Sequence, residues 1–345
     1  MKTLFNNCNA CFVILLLPLL LSSCAMQPSA QSEPQPVWPE PPAPARIQYI
    51  KSIFNAEDTG ITPSFWSRLI EFITGPDDNR LIRPMAVAVD SENIIYVADP
   101  GARGVHRFDP GNNEYKLLYR EKQLPLVSPV GLAIGADDRV YVCDSGLGKI
   151  YSALPGDKQF APLALENDLK QPTDVAYDVD RDRLYVVDAS EHNVKILTPS
   201  GRLIHQFGKR GNQPGEFNFP TAIWLNAKGQ LLITDALNFR IQLFDPDGQP
   251  LAQFGQPGDA SGKLARPKGI ATDSAGHVYV VDAMFHAFQV FDKSGALLLH
   301  LGEQGHAAGQ FWLPTGIFVA PDNKIYIADA YNQRVQVFRY IGGEP

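Results

Sequence analysis

The side chains best equipped for chemistry fall into three sets, and their spacing decides what each could do. His192 and His286 each stand four residues after an aspartate, Asp188 and Asp282, and His306 follows further on. A zinc site needs three or four ligands within about 2 Å of one ion, so these three histidines are candidate metal ligands if the fold brings them together. Asp235 with Arg240, and Asp329 with Arg334, repeat one carboxylate–guanidinium spacing. A pair used twice reads as architecture, with the carboxylate capping a turn and holding the arginine. Thr173, Asp174 and Lys268 are polar residues just after Pro172 and Pro267 and are candidate partner or ligand contacts, as are His192, His286, Arg240 and Arg334. HExxH, a clustered His/Asp motif and a Walker lysine are all absent, which disfavours a zinc protease or a phosphate-cradling loop.

The elements that must position these residues are copies of one unit. Asp99, Asp144, Asp188, Asp235, Asp282 and Asp329 recur at steps of 45, 44, 47, 47 and 47 residues, and Pro84, Pro129, Pro172, Pro220, Pro267 and Pro314 keep the same beat. Between each Pro and its Asp lie two short apolar runs, and beyond the Asp a tight turn and a third run, as in LPTGIFVAPDNKIYIADAYNQRVQVF. Antiparallel strands joined by short turns read this way, and a four-stranded unit of this length is the size of a propeller blade. Connectors repeat too: Gly208, Gly211, Gly215 and Phe217 match Gly255, Gly258, Gly262 and Leu264, and Gly302, Gly305, Gly309 and Phe311. Glycines at fixed places mark backbone turns needing positive φ or close approach, with one apolar residue pinning each loop. The fourth strands are expected at Leu203–Phe207, Leu251–Phe254 and Leu297–Leu301. The last copy lacks its own, and Arg46–Phe54 is the strand expected to complete it and close a six-bladed, all-β ring without an open edge.

The P-x-G-[IV]-A…[IV]-Y-[VI]-x-D-x-x-N-x-R-[IV]-Q-[VL]-F pattern, clearest in the fourth and sixth copies, resembles the NHL-repeat family of six-bladed propellers. The resemblance covers roughly residues 46–341 and implies protein or RNA binding, with relatives that include metal-dependent lyases and lactonases. On such a fold, Met85, Val130, Thr173, Thr221, Lys268 and Thr315 begin the innermost strands and line the channel mouth, while His192, His286 and His306 share one face.

Ahead of the ring, residues 1–23 read as an export leader: Lys2, then an apolar run from Ala10 to Leu21, too short to span a bilayer. Its end, Leu21-Ser22-Ser23-Cys24, resembles a bacterial lipoprotein signal, which implies lipidation at Cys24 and a place in the cell envelope, at the outer membrane or the outer face of the inner one. Cys8 and Cys11 lie inside the leader, and Cys143 fills a slot held elsewhere by small strand residues. Residues 24–45 hold seven prolines between Pro28 and Pro44 and read as an extended linker. Residues 62–75, TPSFWSRLIEFITG, show an apolar stripe at helical spacing behind a Thr-Pro start.

The chain carries 30 basic and 37 acidic residues, net −7, which disfavours nucleic acid. The expectation is a monomeric, membrane-tethered scaffold that binds another envelope or surface protein without a cofactor. The alternatives are a metal-dependent lyase or hydrolase at the channel mouth, using zinc or calcium, and a small-ligand sensor.

Overall fold

In the computed structural model the described residues are 35–62, 79–166 and 169–342. They form six antiparallel sheets, five of four strands and one of five, with short 3₁₀ turns between them. Blade three shows the plan: Pro172–Asp178, Arg183–Asp188, Asn193–Leu197 and Leu203–Phe207 lie side by side in chain order. The innermost strand of each blade touches that of the next, from the first blade to the sixth and back again. The middle strands are apolar on both faces because each blade is sandwiched between two others, and all five residues of Val278–Asp282 are buried. Outermost strands such as Pro250–Phe254 are largely exposed.

Closure comes from the N-terminal strand. Ile47–Ile53 pairs with Arg334–Tyr340, from Ile47 opposite Tyr340 to Ile53 opposite Val335. Both ends of the strand are apolar and buried, so pairing satisfies an edge and covers greasy surface together. The ring also reaches further back than residue 46. Val37–Trp38 adds a fifth strand against Ile47–Gln48, and the Trp38 ring meets Phe338 edge-on at 5.8 Å. Residues 35–45 are therefore part of the propeller rather than of a free linker. Their proline content hides this, since a two-residue outer strand needs little ladder.

The connectors behave as the repeat implies. Gly208 sits at φ +93°, and a Cβ there would lie 2.5 Å from the Phe217 ring. Phe217 is fully buried between Phe207 of one blade and Phe244 of the next. Cys143 is buried, its thiol pushed well up by desolvation. It packs and does not react. The helix expected over 62–75 lies, beyond Thr62, outside the described residues, as does the leader with Cys24.

Candidate active site in the channel

The six blade aspartates are wholly buried, and their partners explain them. Each takes backbone N–H groups from the residues just before its own blade's proline. Asp99 accepts from Ile82 at 2.7 Å and Arg83 at 3.0 Å. Asp144 accepts from Val127 and Ser128, Asp188 from Lys170 and Gln171, and Asp282 from Ala265 and Arg266. Blades four and six vary the scheme. Asp235 takes Asn218 N–H, and its other oxygen accepts from Arg240 Nε at 2.8 Å, Asn238 and Gln242. Asp329 does the same with Trp312, Arg334, Asn332 and Gln336.

In these two blades the second N–H, from Phe219 or Leu313, is accepted at 3.1 Å by Nδ1 of His192 or His286 in the preceding blade. An accepting Nδ1 carries no proton, so both imidazoles are neutral with the hydrogen on Nε2. Burial, then the charge of Arg210, holds His192 below the usual histidine range. Both histidines thus close one blade onto the next.

The metal and ligand assignments for these residues therefore give way to structural ones. His306 is exposed, with its ring edge-on to Trp312, and no group of three or more His, Cys, Asp or Glu among the described residues is placed to hold a metal ion. Arg240 and Arg334 are buried, and their guanidinium groups also donate to connector carbonyls, Glu216 and Gln310 among them. A ligand would have to displace those bonds.

The channel is different. A cavity of about 530 Å³ runs along the innermost strands, lined at one mouth by the expected row of Met85, Val130, Thr173, Thr221, Lys268 and Thr315. The next row reads Ala86, Gly131, Asp174, Ala222, Gly269 and Gly316. Small residues belong there because neighbouring strands crowd together. A Cβ on Gly131 would lie 2.6 Å from Asp174 Cα, and one on Gly316 would lie 2.5 Å from the Met85 carbonyl. Asp174 alone breaks the row, bridging blades three and four. Its oxygens accept Val175 N–H and Ile223 N–H, each at 3.0 Å.

Asp174 meets the channel space, yet protein encloses it, and the desolvation outweighs those two bonds. Its carboxyl is pushed up to about 7. Lys268 is the second departure. Burial, then the nearby Arg266 charge, lowers its proton affinity, and its ammonium has no hydrogen-bond or ion-pair partner among the described residues. Thr173 Oγ1 is out of solvent and equally unpartnered, while Thr315 Oγ1 donates to the Met85 carbonyl at 3.0 Å.

A third row, four residues after each proline, was not singled out from the sequence although the signal was there: Ala88, Ala133, Ala176, Trp224, Ala271 and Phe318. The alanine of blade five leaves room for the aromatics on either side, and Trp224 meets Phe318 edge-on at 5.7 Å. Trp224 Nε1 donates to Thr272 Oγ1. Together these rings put apolar surface into the channel wall below the mouth, before the cavity reaches Asp90 and Ser91. The donors of the mouth do not fit a divalent cation. Zinc takes three or four ligands, mostly nitrogen or sulfur, and calcium several oxygens with carboxylates among them, whereas the lining here offers Asp174, threonine hydroxyls and Lys268.

A family model described as the SMP-30/gluconolactonase/LRE-like region matches residues 172–344, half of the chain. No curated protein sequence matches it. Among solved structures, a gluconolactonase from Xanthomonas campestris superposes with a TM-score of 0.58 at 16% identity, over 75% of this chain and 86% of the other. A virginiamycin B lyase from Staphylococcus aureus gives 0.55 at 13% identity, over 75% and 96%. A chain of a nidogen/laminin complex gives 0.52 at 20% identity, over 72% and 86%. At such identities the likeness establishes the propeller alone, a fold that carries enzymes and binding proteins alike.

Proposed function

We propose that this chain, which belongs to the SMP-30/gluconolactonase/LRE-like family, takes a small organic molecule into its channel from the connector face and hydrolyses a lactone or ester bond in it. The observation that carries this reading is Asp174: a carboxyl facing the cavity, titrating near neutrality, at a place where the other five blades have Ala or Gly. Asp90, at the far end of the cavity, is taken up by Ile94 N–H and the Tyr96 hydroxyl.

Ionised Asp174 would take a proton from water as the water oxygen attacks the carbonyl carbon. The C–O bond then breaks, and the departing alkoxide receives that proton, leaving a carboxylic acid and a hydroxyl. Group pKa values near the working pH suit this exchange. The test is hydrolysis of glucono-1,5-lactone and of aryl acetates by the purified chain and by Asp174→Ala, an alanine the first and fourth blades already accept. Turnover should rise with pH through about 7 and fall by about a hundredfold or more in the variant. Equal rates in the two proteins, or none with either substrate class, would remove the hydrolase reading.

A second reading, a scaffold for another envelope protein, is favoured by Leu237, Met284 and Tyr331, which stand 51–56% exposed on the turns of blades four to six. The equivalent residues of the first three blades are Gly101, Gly146 and Ser190. Export and lipidation at Cys24 belong to the proposal as well, placing the propeller in the cell envelope.

A further inference from the structure

Positive residues gather where the innermost strands begin, and Asp174, one position further in, is the carboxyl of the same cavity. Taking the two residues before each blade proline and the one after it, the charged members are Arg83, Lys170, Arg266 and Lys268. That excess stands out in a chain of net charge −7, and none of the four is ion-paired with a described residue. Lys268 is the one that lines the cavity, beside threonine hydroxyls of which that of Thr173 is buried and unpartnered. A partly desolvated ammonium with no partner is costly, and an anion in the channel would relieve that cost. Past Asp174, Val175, Ile223, Trp224 and Phe318 offer apolar surface, and Tyr177, Asp90 and Ser91 are the polar residues beyond them.

We infer, resting on the channel reading above, that the molecule bound there is an amphipathic carboxylate, its anionic group held at the mouth by Lys268 and the threonine row and its apolar body lying on Trp224 and Phe318. The rim arginines and Lys170 draw such anions towards the entrance.

The probes are 4-phenylbutyrate and its primary amide, a neutral analogue without the ester bond, measured by calorimetric titration of the full chain. The acid should bind about tenfold or more tightly than the amide, as a charge-assisted contact in a half-buried site implies. Lys268→Thr, a residue three other blades carry at that place, should abolish the preference, and Lys268→Arg should keep it. Equal binding of acid and amide, or a preference that survives Lys268→Thr, overturns this inference and leaves the channel reading standing. Failure of both probes to bind takes the channel reading down with it.

Discussion

Replacing Asp174 by alanine should make the protein's stability less sensitive to pH, and by a calculable amount. The carboxyl titrates at 3.8 in the unfolded chain and at about 7 in the folded one. Between those values the native state holds a proton that the unfolded state has released, so stability falls as pH rises. Each unit is worth about 1.36 kcal/mol, so the parent should lose roughly 3 kcal/mol between pH 5 and 7 from this group, and no more above the folded value. The alanine variant lacks that loss, but it leaves the Val175 and Ile223 N–H groups without their acceptor, which costs about 2 kcal/mol in all. The two proteins should therefore be nearly equal at pH 5, with the variant ahead by about 2–3 kcal/mol at pH 8. Urea unfolding followed by tryptophan fluorescence reads the difference as a midpoint shift of roughly 1 M at the higher pH. Other groups titrate in this range, but they do so in both proteins and cancel. Parallel curves would show that Asp174 ionises like an ordinary carboxyl, and its assignment as the proton carrier would fall with that result.

Three further outcomes follow from the same geometry. Asp329→Ala leaves the buried Arg334 guanidinium without its carboxylate and should cost about 3–5 kcal/mol, read from the urea midpoint; a loss under 1 kcal/mol would deny the pair its architectural role. His192 is held below its ordinary value of 6.5, so its contribution is present above that pH and is lost as pH falls below it. The stability gap between parent and His192→Ala should narrow on acidification, and a constant gap from pH 7 to 5 would contradict the neutral, accepting imidazole. Cys24→Ala should abolish incorporation of radiolabelled palmitate and shift the chain from the detergent to the aqueous phase; unchanged labelling would place any lipid elsewhere.

The fold was legible because its information is periodic. Six prolines, six aspartates and three matching glycine connectors set the number of blades, and the unpaired third strand at Arg334–Tyr340 called for Ile47–Ile53. The strand-pattern resemblance to NHL repeats led to the right size of propeller, although the family model that matches is that of SMP-30 and the gluconolactonases. The bonds the histidines make were hidden for a physical reason. His192 and His286 occupy matching places, which suits a shared ligand, but each is satisfied by a backbone N–H in the next blade, and a backbone donor leaves no trace in residue type. Arg240 and Arg334 likewise find most of their partners among connector carbonyls. Trp224 and Phe318 were readable once the rows were set beneath one another, but apolar residues in strands attract no notice one at a time.

That last point bears on how function can be sought in a ring of repeats. Equivalent positions of a closed propeller meet nearly the same surroundings, so the majority residue of a row reports what those surroundings require. A minority residue of the same size and polarity needs no explanation. An enclosed carboxyl in a row of Ala and Gly, a half-buried ammonium beside Thr, and two aromatics among four alanines each go against the requirement of their row. Such departures weaken the blade that carries them unless something compensates. Asp174, Lys268, Trp224 and Phe318 come from blades three, five, four and six, far apart in sequence, yet all four line one cavity. The remaining blades close without counterparts to them. Their meeting point is therefore where a requirement from outside the fold, that of a bound molecule, has the strongest claim.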